Sequence, residues 1–82
     1  MSTKPATITA AHIAAAEEQI ALCNDEHWTA AHLAGRIAEA EALAVANGPH
    51  GIRVAHCHAA ISRALQGLGL RAECGVLYAP GF

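Results

Sequence analysis

Apolar positions recur every three to four residues along three stretches of the chain and every second residue near its end. This change of period divides the 82 residues into three predicted helices and a strand. The first helix is predicted over about 10–23, with Ile13, Ala16, Ile20 and Cys23 on one face, and Asn24-Asp25-Glu26 ends it. The second, about 30–46, carries an inner stripe of Leu33, Ile37, Ala40, Leu43 and Ala44 and stops at Asn47-Gly48-Pro49. The third, about 52–66, gathers Val54, Cys57, Ile61, Leu65 and Leu68 on one face, with His56 and Arg63 opposite and Arg53 at the edge.

From Leu70 to Tyr78 the period is two, which predicts one strand over about 70–78. A single strand cannot satisfy its own backbone groups, so it needs a partner edge. Thr7-Ile8-Thr9 and the same strand of a second copy are the two candidates, the latter giving a two-fold homodimer. The expected fold is mainly α with an α+β element, in a single domain over 1–82 whose polar lead-in, 1–6, is expected to be flexible.

One helix start is written twice, as Ile8-Thr9-Ala10-Ala11-His12-Ile13-Ala14 and as Trp28-Thr29-Ala30-Ala31-His32-Leu33-Ala34. Each copy has Thr at the N-cap, an apolar residue before it and another five positions on, the arrangement of a hydrophobic staple. His12 and His32 occupy the third helical position, where a capping box places Glu or Gln, and a neutral imidazole there can accept from a free amide. The copies then diverge, Ala15-Ala16-Glu17 against Gly35-Arg36-Ile37, so this is one helix-starting solution used twice and not a duplicated domain.

Composition narrows the core. Of the 82 residues 21 are Ala, which supply helix propensity and close approach but little volume, so the 54% apolar fraction overstates the large side chains available. A globule of this size buries only about 60% of its unfolded surface, and a partner would add to a thin stability margin. The net charge of −2 gives no overall attraction to nucleic acid, and direct nucleic-acid binding is not expected. Its distribution is uneven: Glu17, Glu18, Asp25, Glu26, Glu39 and Glu41 crowd the first half, while Arg53, Arg63 and Arg71 outnumber Glu73 in the second.

Three cysteines, Cys23, Cys57 and Cys74, with no hydrophobic signal segment, fit reduced thiols in a cytoplasm better than a disulfide framework. No run approaches the ~18 apolar residues of a membrane span, and no membrane partner is expected. Cys23, His27, Cys57 or His58, and Cys74 make a conceivable zinc set from three elements. They lack the paired short spacings of zinc sites, and residues two apart on a helix diverge by about 200°, which separates His56 from His58. Core packing of small thiols is the expectation, with neither metal nor cofactor.

Two stretches resemble known families. Residues 57–72, from Cys57-His58-Ala59-Ala60-Ile61-Ser62-Arg63 to Leu70-Arg71-Ala72, resemble the cysteine-bearing helix and following strand of transglutaminase-like proteins and arylamine N-acetyltransferases, which implies a nucleophilic Cys57. The His and Asp that those families add downstream are missing before Phe82, and Cys57 is expected a turn inside its helix, where a thiol is inert; no catalytic residue is assigned. Ile61-Ser62-Arg63-Ala64-Leu65 resembles the recognition helix of winged helix-turn-helix repressors, with Leu70 to Tyr78 where a wing stands, which implies DNA contacts by Arg53, His56 and Arg63. The second helix is about twice the length a compact helix-turn-helix uses.

In size and character alone the chain is similar to the short inhibitors encoded by phages and mobile elements, anti-CRISPR proteins among them. That similarity implies a non-enzymatic, stoichiometric inhibitor that covers a surface of a host protein or complex, such as a nucleic-acid-binding site. The candidate partner-binding residues are the acidic set Glu17, Glu18, Asp25, Glu26, Glu39 and Glu41, the third-helix Arg53 and Arg63, and the C-terminal aromatics Tyr78 and Phe82.

Overall fold

The computed structural model describes residues 7–23 and 28–82, apart from the Cys23 side chain. The lead-in over 1–6 and the candidates Asp25, Glu26 and His27 lie outside the described residues.

The two doubled starts open helices α1 (Ala10–Cys23) and α2 (Ala30–Asn47). Thr9 and Thr29 each accept the fourth-residue amide on their carbonyl, Ile13 N–H at 3.2 Å and Leu33 N–H at 3.0 Å. Thr29 Oγ1 also accepts from His32 N–H at 3.2 Å, satisfying one of the orphan donors of α2. At the far end of α2, Gly48 (φ 56°) turns its N–H back onto the carbonyls of Ala44 and Val45, and Pro49 prevents continuation.

The third helix is shorter than its apolar spacing predicts. Helix α3 spans Ala59–Gly67, while Ile52–Arg53 form strand β1 and Val54–His56 a single 3-10 turn. The reason lies at Gly51, which has φ 61° and sits so close to the sheet that a Cβ would come within 2.4 Å of the Leu77 carbonyl oxygen. That contact delivers Ile52 into a sheet, and the helix waits for a cap: His58 Nδ1 accepts from Ala60 N–H at 3.1 Å. Val54 and Cys57 still pack against the core, because their spacing suits a turn and an extended link as well as a helix.

The predicted single strand is a hairpin. Strands β2 (Arg71–Glu73) and β3 (Val76–Tyr78) are joined by Cys74-Gly75, with φ of 51° and 77°. Two positive φ values in a two-residue loop make a type I′ turn, whose twist matches the flanking strands. The reversal puts Leu77 on the inward face of β3. Leu77 is fully buried, whereas its neighbours Val76 and Tyr78 are half-buried. The sheet order is β1-β3-β2, all antiparallel, with Ile52 opposite Leu77 and Arg71 opposite Tyr78. Residues 7–9 form no strand, so the expected pairing with them is replaced by pairing with 52–53 and 71–73 of the same chain.

The core lies where the three helices meet one face of this sheet. Its largest fully buried members are Leu33, Ile37, Leu65 and Leu77, each contributing roughly 2 kcal/mol by leaving water. Most of the expected inner stripes are inside: Leu33, Ile37 and Ala44 of α2 and Ala16 of α1 are buried, and Ala40 and Ile20 pack against them. Helix α1 buries His12, Ala16 and Gln19 and leaves Ile13 41% exposed; α2 buries Ala34 and Ala38 and leaves Leu43 54% exposed. Small side chains on both helices let the backbones approach closely beside Leu33 and Ile37, and Ile13 and Leu43 fall outside that contact. Among the described residues no helix is long and apolar enough to cross a membrane.

Candidate functional site

A second stripe of α2 borders the buried one. Arg36, Glu39, Leu43 and Asn47 follow helical spacing along a flank of the helix, with Ala40 at its border with the core, and the segment His50–His58 runs opposite. Between them lies an open cleft of about 480 Å³, completed by Ile52 and Ile61. Asn47 Nδ2 donates to Gly51 O at 2.9 Å, which ties the end of the helix to the opposite wall.

The cleft has an apolar floor and a cationic rim. Ala40, Leu43, Ile52, Cys57 and Ile61 supply the floor; Arg36 and Arg53 supply two guanidinium groups, and His50, His56 and His58 three imidazoles. Glu39 is its one carboxylate among the described residues. The ion pairs among the described residues, His12–Glu41 and Arg71–Glu73, lie outside the cleft, so neither cleft arginine is neutralised within the described structure.

Cys57 lies just before α3, not a turn inside it as expected, and it lines the cleft beside His56 and His58. Its Sγ donates to Arg53 O at 3.6 Å, and burial pushes the thiol above its ordinary range, which suppresses the thiolate a nucleophile needs. Among the described residues no three His, Cys, Asp or Glu side chains converge as a metal site. Cys74 is exposed at the tip of the hairpin.

The candidate residues are dispersed. Glu39 faces the cleft, while Glu41, two residues on, faces α1 and holds His12 Nε2 at 2.9 Å, so the acidic set does not make one face. Glu17 is exposed, and Glu18 borders a second groove of about 290 Å³ between α1 and α3. Arg63 lies in that same groove and donates from Nε to Gln19 Oε1 at 2.9 Å, whereas Arg53 is in the main cleft; the basic back expected for one long third helix is therefore split between two grooves. Tyr78 is half-buried with the Arg71 guanidinium 4.9 Å above its ring, and Phe82, 49% exposed, packs over Gly48.

The two repeated histidines take different roles. His12 Nδ1 accepts from Thr9 N–H at 2.9 Å while Thr9 Oγ1 lies 3.4 Å from His12 N, a capping box with imidazole in the place of carboxylate. His32 instead stacks on Trp28 with ring centroids 5.2 Å apart, and His58 meets the same indole edge-on at 5.3 Å. Trp28 thus links the starts of α2 and α3. Sequence reasoning missed Arg36 and His50 as site residues and placed Leu43 in the core, where only its stripe neighbour Ala40 packs; the stripe 36-40-43-47 was the available signal. No protein-family model matches the chain, and no curated protein or solved structure is significantly similar to it.

Proposed function

We propose that the protein is a non-enzymatic binding module that captures a partner protein in the α2 cleft and acts by covering part of its surface, as a stoichiometric inhibitor does. One observation carries this reading: two guanidinium groups without ion-pair partners among the described residues stand over an apolar floor that includes the exposed Leu43. That combination suits an acidic segment bearing a large apolar side chain, the apolar group covering Leu43 and the carboxylates meeting Arg36 and Arg53. The short inhibitors of phages and mobile elements, similar in size and character, work by such occlusion, although no residue motif carries the likeness.

Site-specific photo-crosslinking in host extract tests it. A crosslinker at position 43 should trap one protein that a crosslinker at position 22, on the exposed end of α1, does not, and the R36E/R53E double variant should lose it. Equal trapping from both positions, or trapping unaffected by the charge reversal, overturns the reading.

A second reading, DNA binding, draws on the hairpin that directly follows α3, where a winged helix carries its wing. Arg63 is turned toward Gln19 of α1, which runs beside the outer face of α3. This reading requires a salt-sensitive gel shift that R63E abolishes.

A further inference from the structure

One of the two edges of the sheet, that of β2, is complementary to itself. Strand β2 lies outermost, and all three of its residues are exposed. Val54 N–H donates to Gly75 O at 2.9 Å, which fixes the phase of the antiparallel ladder. Leu77, two residues from Gly75, therefore exchanges its hydrogen bonds with Ile52, and its other neighbour, Ala72, is not bonded to it. The amide and carbonyl of Ala72 consequently point away from β3, toward open solvent.

We propose that a second copy of this chain pairs along that edge, antiparallel, about a two-fold axis between the two Ala72 residues. Each Ala72 N–H then donates to the other Ala72 carbonyl. Arg71 of one copy falls opposite Glu73 of the other, and Glu73 opposite Arg71, so both flanking pairs are of opposite charge. Arg71 and Glu73 already meet within one chain, Nε to Oε2 at 3.2 Å on the exposed face, and both are 59% exposed, so the pair is placed to reach across. Three residues a side is a short seam, and the dimer it makes is weak and concentration-dependent. A parallel pairing, or an antiparallel one shifted by a residue, loses these charge pairs, so the sequence Arg-Ala-Glu selects one register. None of these residues lines the α2 cleft, and the pairing stands whether or not a partner binds there.

Sedimentation equilibrium over a wide concentration range tests this on the full chain, with circular dichroism confirming that each variant is folded. Wild-type protein should self-associate, R71E and E73R should each weaken self-association by about tenfold or more, and an equimolar mixture of the two single variants should associate again, since the mixture restores opposite charges at both positions. The swapped double variant R71E/E73R should behave as wild type. A monomer at all concentrations overturns the proposal, and so does a dimer indifferent to R71E, which would place the interface elsewhere.

Discussion

His12 joins the start of α1 to the middle of α2, with Nε2 2.9 Å from Glu41 Oε1 and Nδ1 2.9 Å from the backbone nitrogen of Thr9. Because Thr9 N–H donates to Nδ1, that nitrogen carries no hydrogen, and Nε2–H donates to the carboxylate. A buried side chain with both nitrogens satisfied is thus a cap and a cross-link at once. H12A removes both and should destabilise by about 2–3 kcal/mol. E41Q keeps an acceptor oxygen and should cost under about 1 kcal/mol. Urea unfolding of the two single variants and the double variant measures both effects and their coupling.

At the hairpin tip Cys74 holds φ 51°, a conformation that Asn and Gly adopt at lower cost. C74N should raise stability by about 0.5–1 kcal/mol. A higher urea midpoint with an unchanged slope is the expected result.

Gly51 and Gly67 make an opposed pair of substitutions. A methyl at Gly51 would meet Leu77 O at 2.4 Å on a backbone with φ 61°, so G51A should cost about 3 kcal/mol or more. Gly67 ends α3 with nothing within 4 Å of a Cβ, and G67A should be neutral or stabilise by up to about 1 kcal/mol. Thermal melts of both separate a steric requirement from mere turn composition.

Burial raises the Cys57 thiol above its ordinary value of 9.0. With the folded value above the unfolded one, its contribution to stability is complete below the unfolded value and is lost as pH rises toward the folded one. In the C74S background, alkylation attributed to Cys57 by peptide mapping should run slower at pH 8 than that of a small free thiol. Faster alkylation would mark an activated nucleophile and favour an enzyme.

Much of the fold is legible in the sequence, and its misreadings have physical causes. Thr9 and Thr29 mark two helix starts correctly because capping is local chemistry. The third helix was overextended because Val54, Cys57 and Ile61 keep helical spacing whether or not the backbone is helical, and the contact of Gly51 with Leu77 that prevents it is long-range. Cys74-Gly75 lacks the usual Asn-Gly signature, so alternation on both sides reads as one strand. For the candidate site, the sequence names Glu39 and Arg53, yet the cleft that unites them forms between α2 and the segment His50–His58, a juxtaposition that no motif marks.

Isothermal titration of the crosslinked partner, once purified, tests the central claim most directly. Affinity for wild-type protein should fall as salt rises, should drop by about a hundredfold with R36E/R53E, and should be unchanged by R63E in the other groove. Undiminished affinity in the R36E/R53E variant would contradict capture by the α2 cleft.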